Sequence, residues 1–173
     1  MSLKKLMLGL PLLASCSLAP VDAWFEREFD VAIPAGQSQA TKEETVNLTD
    51  DPNVKDVENF IKQATISEAT AEITSVAAGN TAVTTSAVVE IAPAAGESAV
   101  FTSGAQAVPV AVGSKITVTV PEADQTTIGD LIVKKKLFAV RYNSSATFAD
   151  GATNGTAAFR VKVRIHTVVT PGL

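Results

Sequence analysis

Apolar and polar residues alternate with a period of two along much of the chain, most regularly near its end. Phe159, Val161, Val163 and Ile165 interleave with Arg160, Lys162, Arg164 and His166, the pattern of a strand with one face buried and the other in water. In the preceding run, Phe138, Val140, Tyr142, Ala146 and Phe148 lie on one parity and Arg141, Asn143 and Ser145 on the other. The segment Asp150-Gly151-Ala152-Thr153-Asn154-Gly155 between them is rich in turn residues, so the two runs are predicted to form a hairpin.

Earlier strands follow the same rule. Phe25, Phe29, Val31 and Ile33 alternate with Glu26, Glu28 and Asp30 until Pro34 and Gly36 end the run. Ala69, Ala71 and Ile73 alternate with Glu68, Thr70, Glu72 and Thr74; after Gly79-Asn80, Val83, Ala87, Val89 and Ile91 mark a partner for a second predicted hairpin. Shorter strands are expected at 99–102 and through Ile116, Val118 and Val120, with a weaker candidate at 45–48. Strands that succeed one another without alternating helices imply an antiparallel β-sandwich, here of about 7–8 strands.

Two short helices interrupt the series. Asp51 is placed to cap the first, Pro52 suits its first turn, and Val54, Val57, Phe60 and Ile61 would form its apolar face. The second has Asp124 or Thr126 as its cap and Ile128, Leu131 and Ile132 as its buried stripe. Gly129 inside it costs about 1 kcal/mol relative to Ala, and Lys134 to Lys136 complement its negative end.

Composition sharpens this picture. Hydrophobic residues make up 46% of the 173 positions but aromatics only 5%, so the core should be built from small and β-branched side chains that pack well on a pleated sheet. The net charge is −4, and only the Lys134–Lys136 run is locally basic, which provides no footprint for a nucleic acid.

Residues 1–15 change the expected address. Lys4 and Lys5 precede the apolar run from Leu6 to Leu13, and Ala14 and Ser15 follow it. This is the layout of a secretory signal, too short for a permanent span. Its removal takes away two lysines and no acid, so the net charge falls from −4 to −6. Leu13-Ala14-Ser15-Cys16 resembles the lipobox of bacterial lipoproteins. The resemblance implies cleavage before Cys16, acylation of that cysteine and anchoring in a membrane, since several acyl chains hold where one does not. Ser17, where Asp would signal retention, resembles the outer-membrane sorting pattern of Gram-negative cells. A second processing site competes: Val21-Asp22-Ala23 has the small-x-small form of an ordinary secreted protein cut just before Trp24. The lipobox is favoured because Cys16 is the one cysteine and stands directly after the apolar run. The expected layout is a signal over 1–15, a lipidated linker over 16–23 and one sandwich domain over 24–173. The order of strands and short helices resembles the immunoglobulin-like sandwiches of small envelope lipoproteins.

Candidate chemistry is sparse. The single histidine, His166, falls on the polar parity of the last strand, which suits a surface position better than a general base. With one His and one Cys, a transition-metal site is not expected; Asp50, Asp51, Asn53 and Asp56 offer oxygens for calcium but lack the glycine and final glutamate of a dedicated loop. The ten glycines form no phosphate-cradling motif, so no nucleotide cofactor is expected. Trp24, the only tryptophan, shares the parity of Glu26, Glu28 and Asp30. It would pack against an edge, rest at a membrane interface, or contact a carbohydrate or protein. The reading that follows is a noncatalytic, envelope-anchored binding or structural module with a protein or polysaccharide partner. The rivals are a fibre or adhesin subunit joined through edge strands and a hydrolase without a recognisable motif.

Overall fold

The computed structural model describes residues 19–149 and 155–172, and the fold is an antiparallel sandwich of nine strands. In chain order these are β1 (Val21–Ile33), β2 (Gln39–Asn47), β3 (Ile61–Val76), β4 (Ala82–Ala92), β5 (Phe101–Thr102), β6 (Gln106–Pro109), β7 (Lys115–Thr119), β8 (Leu137–Phe148) and β9 (Ala157–Pro171). A one-turn helix, α1 (Pro52–Lys55), lies between β2 and β3, and a longer one, α2 (Glu122–Lys135), between β7 and β8. One sheet has the order β1-β9-β3-β7; the other has β2-β8-β4, with β5 and β6 both paired to β4.

The two predicted hairpins do not form. β8 pairs with β2 and β4, whereas β9 pairs with β1 and β3. Likewise β3 and β4 lie in different sheets. Alternation specifies which face of a strand is buried but not which strand lies beside it. Phe138, Val140 and Tyr142 of β8 and Phe159, Val161, Val163 and Ile165 of β9 are buried from opposite sheets in one core. The chain therefore pairs first strand with last, second with next to last and third with β7, as if one long hairpin were wrapped around itself. That is the order of a jelly roll, so the likeness to immunoglobulin-like sandwiches extends only to two packed antiparallel sheets. The Gly155 end of the expected turn is described; residues 150–154 lie outside the described residues.

The core is small-grained, as the composition requires. Ala, Val and Ile fill most of it, with Phe25 edge-on to Phe138 at 6.0 Å and Phe29 stacked over Tyr142 at 6.4 Å between ring centres. Each fully buried Val, Ile or Phe contributes about 1.5–3 kcal/mol, so this double layer is the main source of stability. Val83, expected inside, is 49% exposed. A register irregularity between Ala82 and Thr84 shifts the start of β4, and Thr85 occupies the interior position.

Both helices differ from expectation in extent. Asp51 does cap α1, accepting hydrogen bonds from the Asn53 and Val54 amides at 2.9 and 3.3 Å. The helix then stops: Val57 takes a non-helical conformation, a 3-10 turn covers Glu58–Phe60, and Ile61 enters β3 opposite Pro171. Val54 is buried but Phe60 is half exposed, so the four-residue apolar face does not exist. Sheet pairing at Ile61 has overridden the helical spacing. α2 starts at Glu122 after Pro121, earlier than a cap at Asp124 or Thr126. Ile128 and Ile132 are buried, with Leu131 at the margin. Gly129 lies directly on β3, where a Cβ would overlap the Ala64 carbonyl.

Candidate functional site

The outer face of the β1-β9-β3-β7 sheet carries the most concentrated polar chemistry. Its foundation is the register of β1 on β9, which sets Trp24 opposite His166, Glu26 opposite Arg164, Glu28 opposite Lys162 and Asp30 opposite Arg160. Opposite charges thus face each other along the ladder. Arg164 Nε lies 2.7 Å from Glu26 Oε1 and Arg160 Nε 2.8 Å from Asp30 Oδ1. Lys162 bridges Glu26 and Glu28 at 3.6 and 3.7 Å. Hydrogen bonding and charge from Arg160 hold the Asp30 carboxyl below its ordinary value. Such exposed pairs add little stability singly; their effect is to fix register and keep this face polar.

At one end of the ladder, His166 gathers a cluster. Its ring stacks on Trp24 at 4.6 Å with 29° between planes, and the Arg164 guanidinium sits 4.8 Å from the same indole. Nδ1 lies 2.8 Å from Ser67 Oγ and Nε2 lies 3.2 Å from Asp22 Oδ1. A β-bulge between Ile66 and Glu68 accompanies the placement of Ser67 beside His166. With the proton on Nε2, the ring donates to Asp22 and accepts from Ser67. These are the elements of a Ser-His-Asp relay, but the ring nitrogens have exchanged roles relative to the usual template. The Asp22 side chain is 73% exposed, so the acid is in water rather than in a dry pocket. Surface depressions of about 320, 210 and 260 Å³ lie elsewhere, and none is lined by His166, Ser67 or Trp24.

The other sequence candidates separate. His166 is half-buried on the polar face, and Trp24 is 41% exposed there. Cys16 lies outside the described residues. Asp51 is occupied as a helix cap, and Asp50 binds the Arg27 guanidinium and the Asn47 amide. Among the described residues no three His, Cys, Asp or Glu side chains stand together as a metal site. Lys134 and Lys135 close the last turn of α2, and Lys135 reaches Glu97 at 3.0 Å.

Two features escaped the sequence pattern. Arg27 lies on the inward parity of β1, yet it reaches out to the Thr45 carbonyl and Asp50. On the opposite sheet Arg141 joins Glu43 at 2.6 Å, Glu90 at 3.1 Å and the Glu97 carbonyl at 3.0 Å. It thereby fastens the 93–100 loop, and its hydrogen bonds to both carboxylates raise its pKa. Charged residues on polar parities announced some of these partners, but their pairing depends on strand order.

No family model matches the chain, and no curated relative does. Among solved structures, the chain is similar to the decameric BFDV capsid protein, at 15% identity over 87% of this chain and 99% of that one, with a TM-score of 0.51. A chain of the cocksfoot mottle virus structure matches at 10% identity over 100% of this chain and 96% of that one, with a TM-score of 0.48. No helix among the described residues is long and apolar enough to cross a membrane. The finding that the first of these likenesses carries is one of fold: an antiparallel β-sandwich of the kind found in a capsid protein.

Proposed function

We propose that the chain is a noncatalytic module of the bacterial envelope, anchored in the outer membrane by an acylated Cys16 and presenting its sandwich to a protein or polysaccharide. The observation that carries this reading is where the fold begins. β1 starts at Val21, inside the stretch 16–23 that the sequence pattern assigned to a linker. Val21, Asp22 and Ala23 pair with Val169, Val168 and Thr167, and Ala23 is buried. A cut after Ala23 would remove three positions from the ladder and the Asp22 partner of His166. Cleavage before Cys16 leaves the whole sandwich intact, which favours the lipobox over the ordinary secretory site. A structural role suits a fold that a capsid protein also uses. Labelled palmitate should enter the wild-type protein in a membrane fraction, and Cys16→Ser should lose the label and the sedimentation. Soluble, unlabelled wild-type protein would refute the anchor.

A hydrolytic reading has one observation in its favour, the Ser67-His166-Asp22 contacts. It is the weaker reading because the acid is solvated and the cluster lies on an open sheet face, where water competes with every electrostatic interaction a transition state would need. A serine-directed fluorophosphonate should leave Ser67 unmodified. Stoichiometric labelling at Ser67, abolished by His166→Ala, would overturn the noncatalytic assignment.

A further inference from the structure

We infer that the sandwich stands on the membrane on one particular end, with Phe60 seated among the lipid headgroups. This inference rests on the acylation of Cys16 proposed above. It follows from the length of the tether and the level at which Phe60 projects. β1 begins at Val21, level with Val169 of β9. β9 continues past that level to Pro171, opposite Ile61, and the Gly172 amide bonds the Phe60 carbonyl at 2.8 Å. Phe60 therefore lies about three residues beyond Val21 along the strand direction, roughly 10 Å. Five residue steps separate Cys16 from Val21, and fully extended they span at most about 18 Å.

The tether can thus carry the Cys16 backbone no more than about 8 Å past the level of Phe60, and any bend brings the domain nearer. The headgroup layer on each side of a bilayer is itself about 5–7 Å thick. With the acyl chains of Cys16 in the hydrocarbon, a tether short of full extension holds this end within the headgroup layer. Phe60 is 50% exposed there, in a 3-10 turn, and is not a member of the core cluster. An apolar ring at that depth trades water for the boundary between headgroups and acyl chains, where the Trp, Phe and Leu side chains of interfacial helices are buried. The opposite end, which bears exposed Val83 at 49%, is directed away from the bilayer.

The chain's single tryptophan makes the test direct. The full-length acylated protein is reconstituted in phosphatidylethanolamine and phosphatidylglycerol vesicles containing brominated phosphatidylcholine, which quenches indole on contact. Three forms are compared: the wild type with Trp24, Phe60→Trp in a Trp24→Phe background, and Val83→Trp in the same background. Both new sites are exposed, and native Trp24 is a reporter that requires no substitution. Quenching should be strongest at position 60, on the order of threefold above position 83, with Trp24 between. Acylated protein in which position 60 is quenched no more than position 83 overturns the stance while leaving the anchor standing. A chain that mass spectrometry finds unacylated overturns both.

Discussion

Thr167 shows how an individual polar group can be at odds with its surroundings. Its side chain is buried in the inner row of β9, and its hydroxyl has no hydrogen-bond partner among the described residues. A buried hydroxyl without a partner costs about 1–3 kcal/mol of lost hydration, so Thr167→Val should be neutral or stabilise by up to about 1 kcal/mol, read from the urea midpoint. A clear loss would mean the hydroxyl is satisfied in solution. Tyr142 is the contrasting case. Burial pushes its phenol up to about 12, against a smaller opposing effect of hydrogen bonds with Ser144 and Thr85. A phenol near 10 in the unfolded chain releases its proton first, so the unfolded state binds fewer protons above that pH. Stability from this group is fully present below pH 10 and is lost as pH rises from 10 towards 12, by about 2–3 kcal/mol in all. Tyr142→Phe should flatten that part of the pH-stability curve; an unchanged slope would show that another group causes it.

Among the elements, α2 depends most sharply on one position. Glycine inside a helix ordinarily costs stability relative to alanine, yet Gly129 allows the helix to touch the β3 backbone at Ala64. Gly129→Ala should therefore destabilise by about 2 kcal/mol or more despite its better helix propensity, measured by chemical denaturation. The strands were legible in the sequence because one-sided burial imposes a period of two, and the apolar stripe of α2 was legible through Ile128 and Ile132. The first helix was overextended because its spacing ran through Phe60 to Ile61, where pairing with Pro171 is worth more than further helical turns. Val83 was misplaced because a bulge changes parity without leaving a mark in the composition.

For the whole molecule, strand order was the missing information. Alternation fits hairpin neighbours and a wrapped jelly roll equally well, since both bury one face of each strand. The His166 cluster shows the same limit. Its histidine and tryptophan were conspicuous singly, but Ser67 and Asp22, 99 and 144 residues away in sequence, join it only through the β1-β9-β3 order and the bulge in β3. The proposed anchor rests on a short local pattern in the sequence; the fold bears only on the competing site, since Val21 to Ala23 belong to β1 and a cut after Ala23 would remove them. The most direct measurement is the intact mass of the mature protein extracted from membranes, with sequencing of its amino-terminal peptide. The mature chain should begin at Cys16 and be heavier by a diacylglyceryl group and a further acyl chain. A chain beginning at Trp24, or an unmodified Cys16, would contradict it.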